Sequence, residues 1–174
     1  MLYLIVALAA LARFAPHPPD FSPAYAALLF GGAYLRKRDS IWFPVAALAV
    51  SDFLLTTAIY RMHFGWADTV DWLGFAVVAW IGWWLRDRIS LKKVVAASLA
   101  GGTAFFVISN LGVWLGGMLY PRTLLGLGTC YVAALPFLGS TLASSLLFSG
   151  VLFGAYEYYR RRAQRLAHFA APGR

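Results

Sequence analysis

The chain has 174 residues, of which 61% are hydrophobic and 13% are charged, and its formal net charge is +8. A soluble domain of this length needs more charged side chains to cover its surface, so we predict an integral membrane protein. The basic balance would suggest nucleic-acid binding in a soluble protein. Basic residues at the ends of apolar helices instead orient a membrane protein, so we predict no nucleic-acid partner.

Six apolar segments separated by polar turns predict an all-α bundle of six transmembrane helices. Helix 1 is expected to be retained rather than cleaved as a signal peptide, because no charged segment precedes it. A loop with four prolines follows it, and an irregular segment with Pro121 and Pro136 is predicted to precede helix 6. The helices are predicted at Met1–Ala15, Ala24–Leu35, Ile41–Tyr60, Ala67–Leu85, Lys93–Leu119 and Ser140–Tyr159.

Basic residues fall on alternate sides of the predicted helices. The loops after helices 2 and 4 and the C-terminal end hold all of the Lys and Arg residues except Arg13, Arg61 and Arg122. Cytoplasmic loops carry the excess of Lys and Arg, so both termini are predicted to be cytoplasmic. We therefore expect a multi-pass protein of a bacterial inner membrane, in contact with the lipid bilayer, with a transmembrane domain over 1–162 and a short basic tail over 163–174.

The opposite, outer side gathers polar and aromatic residues that orientation does not require, Asp68 and Asp71 among them. Such residues at a membrane interface are a reasonable lining for a small-molecule site, and the alternative is an aromatic belt with ordinary loop polarity. The predicted substrate-binding residues are Arg13, His17, Asp20, Asp52, His63, Asn110, Trp114, Tyr120, Arg122 and Tyr131.

Three polar residues lie inside predicted helices. A carboxylate in lipid must be paired, neutral or hydrated, so Asp52 either bonds a neighbouring helix or serves transport. Asn110 either bonds a neighbouring helix or contacts substrate. Glu157 lies close enough to Arg160 and Arg161 on the last turn to pair with one of them.

The sequence lacks the HExxH, GxSxG, Walker and GxGxxG motifs. We therefore predict no enzymatic activity, no resident cofactor and no metal site. Cys130 is the only cysteine, and we interpret it as an apolar packing residue, with a thiolate ligand to a bound cofactor as the alternative.

Seven runs of the sequence carry a resemblance that covers nearly the whole chain. They are Leu11–Phe14, Pro16–Pro23, Leu29–Leu35, Ser51-Asp52, Asn110–Trp114, Leu119–Thr123 and Cys130–Phe137. These runs resemble a family of short, uncharacterised bacterial membrane proteins. That family is distantly similar to the substrate-binding S-components of energy-coupling-factor (ECF) vitamin transporters.

The resemblance implies a pocket for a vitamin or related micronutrient near the outer face, capped by loops 1, 3 and 5. Many S-components dock through small residues of helix 1 onto a coupling subunit driven by two ATPases, whereas those for biotin and vitamin B12 are thought to work alone. No AxxxA pattern occurs in helix 1, so both arrangements stay open. In a carrier of vitamin B12 a cysteine could ligate cobalt, which makes Cys130 the candidate and a cobalamin one candidate substrate.

Three functions therefore compete. The first is a micronutrient-uptake subunit. The second is a structural or assembly protein that docks a larger membrane complex through faces of small residues, such as Gly150 and Gly154. The third is a membrane enzyme acting on a lipid-type substrate, for which His17, Asp20, His63 and Asp68 are the available catalytic groups.

Overall fold

The computed structural model describes residues 1–16, Pro18 and residues 20–170, the last four of these by their backbone only. This part of the chain contains six α-helices and no strand, which confirms the all-α prediction. A 3-10 turn over Ala12–Phe14 follows the first helix, and a π-helical turn over Leu55–Ile59 continues the third. The helices are α1 Leu2–Leu11, α2 Ala24–Tyr34, α3 Trp42–Leu54, α4 Trp66–Trp83, α5 Leu91–Gly116 and α6 Leu124–Ala170.

Three helical segments are long and apolar enough to cross a membrane: Trp42–Ile59, Leu91–Gly116 and Leu124–Leu166. A spanning helix needs about 20 residues to cross a hydrocarbon layer of about 30 Å. Helices α1 and α2 have 10 and 11 residues, which at about 1.5 Å per residue gives each roughly half that length. Length and composition thus show three candidate spans within the described residues, and the predicted six spans stay a prediction.

Helix α2 forms the centre of the bundle. Ten of its eleven residues are buried, and it contacts every other α-helix. Leu28, Leu29 and Phe30 are completely inaccessible to solvent. A helix that is apolar on all sides is stable where neighbouring helices surround it. Protein therefore encloses this short helix along almost its whole length.

Two glycines allow α2 and α4 to cross at close range. A Cβ atom added at Gly32 would lie 2.2 Å from the carbonyl oxygen of Ala79, and one added at Gly82 would lie 2.4 Å from that of Leu29. No side chain fits at these distances from a backbone atom. Small residues permit such close helix contacts in membrane proteins, and this crossing fixes α4 against the central helix.

Helix α6 corrects two boundary predictions. The break expected at Pro136 does not occur, because the helix runs from Leu124 through this proline. Apolar helices tolerate proline where neighbouring groups and local adjustment satisfy the freed backbone carbonyls, and α5 packs along α6. The helix also continues past Tyr159 to Ala170, since the arginines, alanine, glutamine and leucine that follow are strong helix formers.

Long-range contacts define two ends of the bundle. At one end the Tyr3 hydroxyl donates to Asp39 at 2.5 Å, and the Tyr34 hydroxyl donates to Glu157 at 2.6 Å. The predicted pairing of Glu157 with Arg160 is confirmed at 3.1 Å. We call this the basic end, because the loops after α2 and α4 and the arginines of α6 meet there. The end of α1 and the end of α3 meet at the opposite end.

Candidate functional site

A cavity of about 500 Å³ lies at the end of the bundle opposite the basic end. It is bounded by the loop before α2, the 3-10 turn after α1, the π-helical turn after α3, the last turns of α3 and α5, and the first turns of α2 and α4. Its described lining combines ionisable, hydroxyl-bearing and aromatic side chains. These residues are Arg13, Asp20, Ser22, Ala24, Tyr25, Asp52, Leu55, Thr56, Tyr60, Asp71, Phe75, Phe105, Ser109 and Val113.

An ion pair between Arg13 and Asp52 forms one wall of this cavity. Arg13 Nη2 lies 2.9 Å from Asp52 Oδ1, and the side chains are only 14% and 16% exposed. Arg13 Nη1 also donates to Ser51 Oγ at 3.0 Å and to the Leu48 carbonyl at 3.3 Å. The Asp52 carboxylate is therefore paired with a neighbouring helical segment. A bond to a neighbouring helix was one of the two alternatives predicted for this residue.

Asp20 reaches the cavity from the loop before α2. Its backbone has a φ of +56°, a left-handed conformation that aspartate adopts more readily than most residues. The Ser144 hydroxyl donates to the Asp20 carbonyl at 3.3 Å, which ties the loop to α6. The loop thus holds a carboxylate at the cavity with a backbone geometry of the kind often found at functional sites.

The π-helical turn at the end of α3 supplies the next part of the wall. Leu55 and Thr56 belong to this turn, and Tyr60 follows it. Arg61 then takes a φ of +54°, which ends the helix. Single π-helical turns inside α-helices occur frequently at functional sites. Here the turn places a hydroxyl and a phenol ring in the cavity.

Asp71 in the second turn of α4 adds a third carboxylate. Among the described residues, none forms a hydrogen bond or ion pair with it. It does interact electrostatically with Asp52, Asp68, Arg13 and Asp20. The cavity therefore contains a carboxylate that is available to a ligand.

Aromatic rings form the floor of the cavity. Phe75 and Phe105 stack with ring centroids 5.4 Å apart and an interplanar angle of 9°, and the Tyr25 ring packs on Phe105 at 4.9 Å. The guanidinium carbon of Arg13 lies 5.8 Å from the centroid of the Phe75 ring. A cation at this distance from an aromatic face is attracted by the ring quadrupole.

A second cavity of about 130 Å³ adjoins the first and shares Asp20, Tyr25, Phe105 and Ser109 with it. Asn110 lines this smaller cavity. Its side-chain amide donates to the Phe106 carbonyl of its own helix at 2.8 Å. The side chain therefore bonds within its helix rather than across to a neighbouring one, and it stays in reach of a ligand.

The remaining predicted site residues lie elsewhere. His63 and Arg122 are exposed, and Tyr120 lies in the turn between α5 and α6. The Trp114 indole donates to the Pro121 carbonyl at 3.1 Å, which fastens that turn. His17 lies outside the described residues. Of the four described residues in this group, none lines either cavity.

Cys130 and Tyr131 join α6 to α5. The buried Cys130 thiol donates to the Asn110 carbonyl at 3.5 Å, and the Tyr131 hydroxyl donates to the Val107 carbonyl at 2.7 Å. Neither side chain lines a cavity described above. Within the described ranges, no three His, Cys, Asp or Glu residues are grouped so as to hold a metal ion.

A family model described as a family of unknown function, DUF6580, matches residues 1–166. No curated protein and no solved structure matches the chain. The predicted membership in an uncharacterised family is confirmed by this match, while the resemblance to S-components stays a prediction.

Proposed function

We propose that this chain, which belongs to the family of unknown function DUF6580, is a membrane protein that binds and takes up a small polar micronutrient. In this proposal the cavity at the end opposite the basic end is the substrate site. The proposal gives the chain the layout expected of an S-component, with loops on the outer side around a pocket. Uptake requires binding and a conformational change rather than covalent chemistry, so the chain is proposed not to be an enzyme.

The orientation in the membrane follows from the two ends of the bundle. The three long apolar segments supply complete spans, and α1, α2 and α4 complete the bundle around the buried central helix. Because the cytoplasmic side carries the excess of Lys and Arg, the basic end and both termini face the cytoplasm. The cavity then opens toward the outer face of an inner membrane, where a nutrient arrives.

The observation that carries the proposal is the Arg13–Asp52 ion pair in the wall of a cavity of about 500 Å³. Ionisable groups within a membrane protein are costly, and they usually mark substrate or ion pathways. Ligand pockets typically occupy about 300–1,000 Å³ and combine apolar walls with a few converging polar groups. The cavity fits this description in both size and lining.

The size of the cavity also bears on the substrate. At about 500 Å³ it lies in the lower half of the usual range, which favours a compound much smaller than a cobalamin. Cys130 lies outside the cavity lining, which removes the main reason to invoke cobalt. Transport by this chain alone and transport with a coupling subunit driven by ATPases are both compatible with this site.

Uptake by a deletion strain tests the proposal. Thr56→Trp places a large ring in the cavity, whereas the matched change Ala58→Trp lies two residues further on at an exposed position. We expect deletion to abolish uptake of one micronutrient when a panel of radiolabelled vitamins is tested. Wild type and Ala58→Trp should restore that uptake, and Thr56→Trp should not. Undiminished uptake of every compound in the deletion strain would contradict the proposal.

A further inference from the structure

We propose that the ligand of this cavity is a small organic cation with a planar ring. This inference rests on the proposed function and specifies the class of its substrate. Three features carry it: the charge balance of the described cavity lining, the position of Asp71, and the aromatic floor.

The described lining has an excess of negative charge. It contains the three carboxylates of Asp20, Asp52 and Asp71 against the single guanidinium of Arg13. That guanidinium is 2.9 Å from Asp52, and its single positive charge is smaller than the summed charge that the three carboxylates carry when ionised. An anionic ligand would add to the excess, whereas a cationic ligand would offset it.

Asp71 carries negative charge that a cationic ligand would offset. Its carboxylate interacts unfavourably with those of Asp52, Asp68 and Asp20, and no hydrogen bond or ion pair to it comes from the described residues. Like charges that share a poorly solvated site repel each other strongly. A proton or a bound cation can relieve this repulsion, and the surroundings of the site favour an organic cation.

Those surroundings are aromatic. Tyr25, Tyr60, Phe75 and Phe105 all line the cavity. The chain itself already holds one organic cation in this way, because the Arg13 guanidinium is paired with Asp52 and lies 5.8 Å from the Phe75 ring centroid. A carboxylate and an aromatic face together recognise organic cations. Asp71 and the remaining rings offer a ligand the same two elements.

Three compounds that share one ring test the charge preference directly. They are 1-methylnicotinamide, nicotinamide and nicotinate, which carry charges of +1, 0 and −1. Binding to the purified full chain is measured for each by isothermal titration calorimetry. We expect 1-methylnicotinamide to bind at least tenfold more tightly than nicotinamide, and nicotinate to bind most weakly. Equal affinities, the reverse order, or no measurable binding of the cation would overturn the proposal.

Two isosteric variants test which carboxylates produce the preference for a cation. Asp71→Asn is expected to reduce the ratio between 1-methylnicotinamide and nicotinamide about tenfold. Asp20→Asn should do the same, and asparagine tolerates its left-handed backbone. Asp87→Asn, which removes an exposed carboxylate at the basic end, serves as the matched control and should leave the ratio unchanged. A ratio that both cavity variants leave intact would overturn the proposal.

The substrate class and the proposed function can fail separately. If wild type takes up a neutral or anionic compound and Thr56→Trp does not, the cation inference is overturned and the uptake function stands. Restoration of uptake by Thr56→Trp would instead contradict the function itself.

Discussion

Arg13 Nη2 lies 2.9 Å from Asp52 Oδ1, and this ion pair joins the 3-10 turn after α1 to the last turn of α3. Both side chains are largely buried, so water screens their attraction only weakly. The pair has two consequences. It fastens two helices at the end opposite the basic end, and it forms the charged wall of the cavity.

Breaking this ion pair should destabilise the protein. Removing one member of a buried pair takes from the other charge its ion-pair partner at 2.9 Å, so Arg13→Met or Asp52→Asn should each cost about 3 kcal/mol. The Tm of the purified protein in detergent measures the loss. The double variant should be more stable than the sum of the single effects predicts, because it removes both members of the pair together.

The pair between Arg160 and Glu157 provides the control. Its N–O distance is 3.1 Å, but the arginine side chain is 50% exposed. Arg160→Met should therefore cost less than about 1 kcal/mol. Equal losses of Tm for Arg13→Met and Arg160→Met would show that the cavity pair is not buried as described.

The crossing of α2 and α4 should not tolerate a methyl group. Gly82→Ala would place its Cβ atom 2.4 Å from the Leu29 carbonyl oxygen, and we expect a loss of more than about 2 kcal/mol from the resulting overpacking. Gly139→Ala in α6 meets no atom within 4 Å, and it should be neutral or stabilising by up to about 1 kcal/mol. Thermal unfolding of the two variants compares them, and similar Tm values would argue against the close crossing.

Arg86 should stabilise the end of the central helix. Its guanidinium donates to the Gly32 carbonyl at 3.0 Å and also to the Leu35 carbonyl. A cation that bonds the last carbonyls of a helix also opposes the negative end of the helix dipole.

We expect Arg86→Gln to cost about 2 kcal/mol, since hydrogen bonds to charged groups contribute more than neutral ones. The exposed neighbour Arg88 supplies the matched change Arg88→Gln, which should alter stability by less than about 0.5 kcal/mol. Chemical denaturation of both variants measures the two losses of stability. An unchanged midpoint for Arg86→Gln would contradict a stabilising role for Arg86.

The contact between Tyr3 and Asp39 predicts a pH dependence at the basic end. The Tyr3 hydroxyl donates to Asp39 and holds the pKa of that carboxyl below its usual value. A carboxyl with a depressed pKa in the folded state adds stability above its unfolded pKa, and this stability is lost as the pH falls through the folded pKa.

Tyr3→Phe should therefore lower the Tm near neutral pH. The difference from wild type should shrink below the usual Asp pKa of about 3.9, as Asp39 takes up a proton. Tyr158→Phe, at an exposed position, is the control and should show no pH-dependent difference. A constant difference for Tyr3→Phe at all pH values would rule out the ionised carboxyl as its cause.

Cys130 should not take part in ligand binding. The side chain is 2% exposed and lines neither cavity described above. Cys130→Ala should leave ligand affinity within twofold of wild type, and a maleimide should label the folded protein far more slowly than the unfolded chain. Rapid labelling that also blocks ligand binding would place this thiol in the site after all.

The all-α architecture was predictable because the apolar residues fall in blocks of helical length. The buried position of α2 also has a signal in the sequence, since this helix carries no charged residue on any face. The break at Pro136 was wrongly predicted, because local propensity cannot show that α5 packs along α6 and supports it. The predicted end of helix 6 at Tyr159 was wrong, because basic residues mark a membrane boundary and do not end a helix.

The site was predictable only in part. Arg13, Asp20 and Asp52 stood out as ionisable residues in an apolar chain, but their partners are far apart in sequence: Arg13 and Asp52 are separated by 39 positions. Thr56 and Ser109 gave no signal, since a hydroxyl in an apolar helix more often bonds its own backbone. Asp71 was visible as a polar residue on the outer side, but only the fold brings it to the other carboxylates.

Native mass spectrometry of the protein, extracted gently from the membranes of its own host, tests the central claim most directly. We predict that wild type and Ala58→Trp retain one small molecule of defined mass and that Thr56→Trp does not. Wild type without a small molecule, or the same molecule bound equally to Thr56→Trp, would contradict the account. A stoichiometric protein partner in place of any small molecule would favour a structural or assembly role instead.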